Sequence, residues 1–430
     1  MNTSIGNIFK GDKTIWMVFF FLCLISIVEV YSALAMLTFK GGSYIMPMVK
    51  HIGLLLGGLL TMVVTSYIGC GFFRKLVTPG IIVSILLLGW VLVAGASTNG
   101  AQRWINLFGI PFQPSEIAKG SVVIATAHIL SLLQTDKGAD PLAFKYTLTV
   151  CFMILPLIML ENLSTAMLLC MVVVMMMFIG RVPMKQLGGL IGTVLGIGIV
   201  IVAMVMLLGK DQKQMAQQQV LTEQIEQDMP KEKSSLEKVF HRFDTWKARI
   251  EKFADSKEVA PDKVDLDRNA QESYAKIAIA SSNIVGKGPG NSEECNFLPQ
   301  AYSDFIYAII IEEMGIIGAF GVAMLYIILL FRTGRIVSHC ENSFPAYLAM
   351  GLALLLVTQA LFNMMVAVGV VPVTGQPLPL ISKGGTSTII NCFYLGIILS
   401  ISRSAQRKHE MIIEPVTASG DSDSEPLAEN

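Results

Sequence analysis

The chain has 430 residues, 53% of them hydrophobic and 15% charged, against roughly a quarter charged in soluble domains. Its 32 Lys/Arg and 32 Asp/Glu cancel, so no basic excess points to nucleic acid. Apolar runs long enough to cross a bilayer, roughly 17–25 residues each, recur along the whole chain, which excludes a soluble domain and a single cleavable signal peptide.

Ten spans are expected, at 14–37, 46–68, 78–95, 115–134, 142–160, 162–180, 187–208, 304–331, 344–369 and 385–402. Nothing alternates as a barrel strand would, so the fold class is an all-α integral membrane protein. Spans one to seven fill 1–208, and a large extracytoplasmic loop, 209–303, separates them from spans eight to ten in 304–403. Residues 404–430, acidic and small towards their end, read as a disordered tail. Basic clusters fall on alternate loops: Lys10 with Lys13, Arg74 with Lys75, Lys137 with Lys145, Arg181 with Lys185, Arg332 with Arg335, and Arg403 with Arg407 and Lys408. The positive-inside rule makes that face, and both termini, cytoplasmic.

Along the chain, the other face receives the segments rich in polar residues, Gly and Pro, and loops carry function more often than their scaffold. "STNGAQRWINLFGIPFQPSE" (97–116) sets Arg103 beside Trp104. Ser115 is placed as the N-cap of the fourth span, with Glu116 at the positive helix end. Lys119 follows three residues later on the same face. Ionisable residues inside a span are costly and usually face a bundle interior or an aqueous cavity; a capped helix with a snorkelling Lys–Glu pair is the plainer alternative. "ENLST" (161–165) makes a tight turn.

The loop 209–303 carries 14 Lys/Arg and 16 Asp/Glu. Helical pieces are expected before Pro230, over about 234–254 and over about 270–284. "HRFDTW" (241–246) offers Arg242, and "GKGPGNSEE" (286–294) reads as a turn more readily than as a phosphate loop. "LPQAYSDFIYAIIIEEMG" (298–315) opens the eighth span with Asp304 and places Glu312 and Glu313 about two turns deeper. Those two differ by about 100° in facing, so a bundle hydrogen bond suits them better than a shared cavity. Gln359 and Asn363 form an amide face on the ninth span. "GVVPVTGQPLPLISKGGTS" (369–387), containing Ser382 and Lys383, is too apolar for a free loop and too broken for a helix, so it is expected to re-enter the membrane surface. Six of the seven cysteines lie in or beside spans, with Cys295 alone in an outer loop, and the five histidines are scattered. No metal spacing appears.

Together these residues predict one outward cavity holding the cations Arg103, Lys119, Arg242 and Lys383 and the carboxylate of Asp304. Cations at the edge of hydrocarbon suit an amphiphile with an anionic head, such as a lipid-linked phosphate or pyrophosphate. A carboxylate there suits removal of a hydroxyl proton. The chemistry suggested is glycosyl transfer from a lipid pyrophosphate.

Five motifs in order, "GAQRWI" with "QPSEIAK", "ENLSTA", "GKGPGNS", "LPQAYSDFIYAIIIEEMGIIG" and "FNMMVAVGVVPVTGQPLPLISKGGTS", give a chain that resembles the SEDS family of bacterial cell-wall proteins over nearly its whole length. The resemblance implies a peptidoglycan glycosyltransferase that joins lipid II (undecaprenyl-pyrophosphoryl disaccharide-pentapeptide) into glycan strands at the outer face of the bacterial cytoplasmic membrane. The family's essential aspartate, in "HTDF", corresponds to Asp304 in "YSDF", and its motif Arg, Glu and Lys correspond to Arg103, Glu116 and Lys119. The chain departs from the family at Tyr302, Ser303, Gln300 and Asn296, at Glu161-Asn162 where "PD" is usual, and at Lys383.

By the same resemblance, Asp304 acts as general base on the acceptor 4-hydroxyl with inversion at the donor carbon. Arg103, Lys119, Arg242 and Lys383 would steady the pyrophosphate, with a divalent cation (Mg or Mn) and no organic cofactor. Implied partners are lipid II, a class B penicillin-binding protein transpeptidase, other divisome membrane proteins and membrane lipids. The "FKGDKTIW" start, the charged loop and the acidic tail fit the FtsW branch at the division septum, with the RodA elongation branch next. A lipid II flippase and a non-catalytic scaffold for the transpeptidase are the rival readings.

Overall fold

The computed structural model describes residues 9–35, 45–94, 96–98, 101–107, 110–208, 266–298 and 302–418. Each expected span coincides with a helix: α1 Lys13–Ala35, α2 Ile45–Tyr67, α4 Val77–Ala94, α5 Pro114–Leu132, α6 Pro141–Glu161, α7 Leu163–Ile179, α8 Met184–Leu208, α10 Ile306–Ser338, α11 Ser343–Ala367 and α12 Thr386–Ala418. Two shorter helices, α3 Cys70–Lys75 and α9 Leu266–Ala280, lie between them. Six of these helices are long and apolar enough to cross a membrane, and three more, over Val77–Val93, Leu163–Ile179 and Met184–Val200, are shorter and apolar.

Three of the helices start on a side-chain cap supplied by the sequence. Asp12 Oδ1 accepts from the amides of Thr14 and Ile15 at 2.9 and 3.2 Å. Asp140 and Asn162 do the same for α6 and α7, accepting from Leu142 N at 2.8 Å and Ser164 N at 3.1 Å. Ser115 does not cap α5: that helix begins one residue earlier with Pro114 at its first position and Gln113 as cap residue. Proline at this position loses no bond, because its missing N–H would have been unpaired there.

Polarity is turned inside out relative to a soluble bundle. Leu24, Leu56, Phe152 and Phe320 face outward, whereas Ser26, Glu29, His51, Lys119, Glu312, Glu313 and Gln359 are buried. That is the arrangement expected where the surroundings are hydrocarbon and polar groups must find partners within the bundle. The interior is held by close backbone approach. α12 lies along α2, where a Cβ on Gly58 would come within 2.6 Å of Cys392 Sγ and one on Gly396 within 2.6 Å of Thr65 Cβ. Small residues at such crossings replace the hydrophobic drive that lipid cannot provide.

Three features depart from expectation. The segment after α4 is a three-stranded antiparallel sheet, β1 Ala96–Thr98, β2 Ala101–Leu107 and β3 Ile110–Phe112, in the order β1-β2-β3. A two-stranded ribbon, β4 Gln134–Thr135 with β5 Gly138–Ala139, joins α5 to α6. Finally, α12 continues to Ala418, so the disordered tail expected over 404–430 is helical in its first part; 419–430 lie outside the described residues. The helical pieces expected before Pro230 and over 234–254 also lie outside them, whereas the piece expected over 270–284 appears as α9.

Candidate active site

Asp304 lies in the turn that leads into α10, half-buried, two residues before the first helical position, with Phe305 as cap residue. It therefore precedes the helix N-terminus, where the sequence had placed it at the terminus itself. Ser303 Oγ donates to its Oδ1 at 3.0 Å. Its backbone carbonyl accepts from Asn363 Nδ2 at 2.8 Å, and the same amide group donates to Gln376 O at 2.7 Å. Ser382 Oγ donates to Ser303 O at 2.6 Å and accepts from Leu378 N at 2.8 Å. The amide of Lys383 donates to Tyr302 O at 2.9 Å, and its ammonium stands over the Tyr302 ring, 4.8 Å from the centroid. Such a contact is worth about 0.5–1 kcal/mol at an exposed site and more when desolvated.

The segment that clasps this turn has no regular structure between α11 and α12, yet Leu378, Leu380, Ile381 and Ser382 are buried. Non-helical backbone at such depth persists only where the protein satisfies it. Here Tyr326 OH donates to Pro379 O, Ser26 Oγ to Ile381 O at 2.7 Å, and Gln376 Nε2 to Thr165 Oγ1 at 2.6 Å. Helices α1, α7, α10 and α11 thus hold one loop. Leu380 has φ 68°, a left-handed conformation that costs a non-glycine residue roughly 1–2 kcal/mol. Strain kept in a buried loop that clasps the backbone beside Asp304 marks a place where position outranks stability.

A second network reaches the same loop from α5. Lys119 Nζ meets Glu116 Oε1 at 2.9 Å, and both side chains are buried. Lys119 also donates to Gln359 Oε1 at 2.8 Å, and Gln359 Nε2 donates to Pro377 O at 3.1 Å. Tyr394 OH donates to Glu116 O at 2.5 Å. The amide face expected on α11 therefore has two outputs, Gln359 towards the Glu116–Lys119 pair and Asn363 towards Asp304, both ending on the loop after α11.

Glu312 and Glu313 do other work. Helix α10 breaks at Gly315, whose φ is 69°, and the glycine-rich stretch wraps the break. Lys287 N donates to Glu312 O at 2.9 Å and Gly288 N to Glu313 O at 2.8 Å, while Ile317 N donates to Ile284 O at 3.3 Å. The loop amides thus take up carbonyls that the broken helix would leave unpaired. Glu312 accepts from Lys287 Nζ at 2.8 Å, Ser292 Oγ at 2.5 Å and Glu293 N at 3.1 Å. Glu313 accepts from Ser32 Oγ on α1 and from Gly290 N at 3.0 Å. The hydrogen bond to Glu312 holds the Lys287 ammonium above the usual lysine range, and burial pushes the Cys295 thiol up to about 12. The sequence flagged the glycines of this loop without revealing their partner. The signal in the sequence was the alternation of Gly286, Gly288 and Gly290, and in the structure all three have positive φ.

The structure thus brings Asp304, Asn363, Ser382 and Lys383 together, and links Glu116 and Lys119 to them through Gln359. Arg103 lies in β2, though its side chain is not among those described, and Arg242 lies outside the described residues. Among the described residues no group of three or more His, Cys, Asp or Glu side chains is placed to hold a metal ion.

Comparison with known proteins places this geometry in context. The profile of the FtsW/RodA/SpoVE family, described as "Cell cycle protein", matches residues 12–407. The Escherichia coli (strain K12) peptidoglycan glycosyltransferase MrdB is 30% identical over 378 residues, 86% of this chain and 90% of the relative. A probable peptidoglycan glycosyltransferase FtsW of Geobacter sp. (strain M18) is 28% identical over 399 residues, 91% of this chain and 96% of that one. In fold, the chain is similar to a subunit of a peptidoglycan synthase complex described as coordinating polymerization and crosslinking (TM-score 0.66, 22% identity, 92% of this chain and 98% of that one). It is also similar to the Thermus thermophilus rod shape determining protein RodA (TM-score 0.60, 21% identity, 93% of this chain and 99% of that one).

Proposed function

The chain belongs to the FtsW/RodA/SpoVE family of cell cycle proteins, and on that premise we propose that it is an inverting peptidoglycan glycosyltransferase that polymerises lipid II. The observation that carries the reading is the clasp on Asp304: its carbonyl is fixed by Asn363 and its neighbour's by Ser382. A carboxylate with a fixed backbone can be held within hydrogen-bond reach of a hydroxyl, which general-base catalysis requires.

Asp304 accepts the proton of the acceptor sugar's 4-hydroxyl. The freed oxygen attacks the anomeric carbon of the donor from the face opposite its pyrophosphate. The new glycosidic bond forms as the carbon–oxygen bond to undecaprenyl pyrophosphate breaks, and the electron pair leaves with that group. Lys383, beside the Asp304 turn, and Arg103 on β2 meet the leaving charge; Arg242 joins them from the loop 209–303. Glu116 and Lys119 are positioning residues that act through Gln359. The transpeptidase step belongs to a class B penicillin-binding protein partner. The chain works as a ten-span protein of the bacterial inner membrane with both termini cytoplasmic and its site outside, at the division septum as the FtsW branch does.

The test is polymerisation of lipid II by the purified chain with its penicillin-binding partner. Asp304→Asn keeps the clasp and removes the base, so glycan product is expected to fall by about 10²-fold or more. Undiminished product from the variant removes Asp304 from this role. Translocation of lipid II across liposomes with no polymer under any condition turns the assignment to a flippase.

A further inference from the structure

At the end of the bundle opposite Asp304, the start of α1 and the last turns of α10 meet α12 around a cavity of about 620 Å³. Its walls include Lys13, Arg332, Arg335, His339, Ser402 and Gln406. Arg332 is already matched, because its Nε and Nη2 lie 2.7 and 2.6 Å from Asp12 Oδ2. Asp12 is buried and also caps α1, so that pair is a fixed part of the wall. Lys13 and Arg335 are exposed and make no ion pair among the described residues. Ser402 is the telling group: it is 1% exposed, lines the same cavity, and its Oγ has no hydrogen-bond partner among the described residues. A buried hydroxyl left unpaired costs roughly 1–3 kcal/mol, a cost that a ligand oxygen in the cavity would remove.

The surroundings narrow the ligand. Met17 and Phe20 on α1, about one and two turns from Lys13, and Phe331 on α10, about one turn from Arg335, are exposed large apolar side chains. A free phosphate would use the cations and leave this apolar border untouched. A phospholipid would use both, and basic pockets between membrane helices are established headgroup sites. We propose that this cavity binds the phosphate headgroup of an anionic phospholipid, with Lys13 and Arg335 as its cations, Ser402 as a buried hydroxyl donor, and the acyl chains along Met17, Phe20 and Phe331.

Native mass spectrometry of the full-length protein in mild detergent tests this, using phosphatidylglycerol and phosphatidylcholine as added probes. Phosphatidylglycerol is expected to be retained preferentially, and Lys13→Gln with Arg335→Gln to weaken it roughly tenfold or more. The Asp12–Arg332 pair is untouched in this variant, so its unfolding midpoint without lipid should match the parent. Lys75→Gln with Lys185→Gln removes two exposed cations from other basic clusters and should leave retention unchanged. Equal loss in that control, or equal retention of both lipids, would overturn the proposal by showing a diffuse surface effect. Displacement by inorganic phosphate would make it a free-anion site. Tighter lipid binding after truncation at Ala418 would make the chain's own acidic end, with Asp421, Asp423, Glu425 and Glu429, the occupant.

Discussion

Replacing Lys119 by methionine would strip Glu116 of its cation and Gln359 of its donor in one step. The pair is buried on both sides, and removing one partner of a buried ion pair costs about 3–5 kcal/mol because the other charge stays uncompensated. Lys119→Met should therefore lower the unfolding midpoint in detergent strongly, and Glu116→Gln with Lys119→Met should recover most of the loss. A single variant costing no more than an exposed pair, about 1 kcal/mol or less, would mean that the pair is not shielded as described. The double variant should still polymerise lipid II more slowly than the parent, since Gln359 loses the ammonium that sets its amide towards Pro377. At this scale the sequence was readable only over short range. The spacing of Glu116 and Lys119 put them on one face, but Gln359, 240 positions away, could be recognised as part of an amide face and not as their partner.

The break in α10 is where an element-level reading and the structure part. Apolar runs locate helices because lipid leaves the backbone no other partner, and every expected span is a helix with ends shifted by only a few positions at most sites. The same uniformity hides an interruption, since Gly315 sits in a run that reads as one continuous helix. Its counterpart, Gly286, lies in another loop, and only the fold brings the two together. A Cβ on Gly286 would fall 2.3 Å from Glu313 O and 2.4 Å from Gly315 N, at φ +82°. Gly286→Ala should thus cost at least about 3 kcal/mol, left-handed strain and overpacking together. Gly290→Ala is the comparison: its φ is +84° but nothing lies within 4 Å, so about 1–2 kcal/mol is expected. Loop opening can be followed at Cys295, which is buried and whose thiol is pushed up to about 12. Maleimide labelling of Cys295 should accelerate in Gly286→Ala well beyond Gly290→Ala; equal rates would detach the loop from the helix break.

Across the whole molecule, the basic clusters that were read separately along the chain gather at one end. Asp12 and Arg332 bind each other, and Arg403 donates to Tyr67 O at 3.1 Å while Lys10 stands over the ring of the same tyrosine. Arg74 lies over Phe344, and Ala139 N donates to Arg181 O at 3.3 Å. The clasp on Asp304 is at the other ends of the same helices. A charge pattern in sequence can be this informative because it is imposed on each loop as it is retained on one side of the membrane, whereas side-chain networks are imposed only by the finished fold. This separation makes the orientation testable in intact cells with a variant lacking the native cysteines. Asp136→Cys, in the exposed β4–β5 turn among the basic clusters, should resist a membrane-impermeant maleimide and react with a permeant one. Asn283→Cys, exposed beside the loop that wraps α10, should react with both. The reverse pattern would put the basic clusters outside and Asp304 within the cytoplasm. An extracytoplasmic polymerase could not then use Asp304 as its base, however well the clasp holds it.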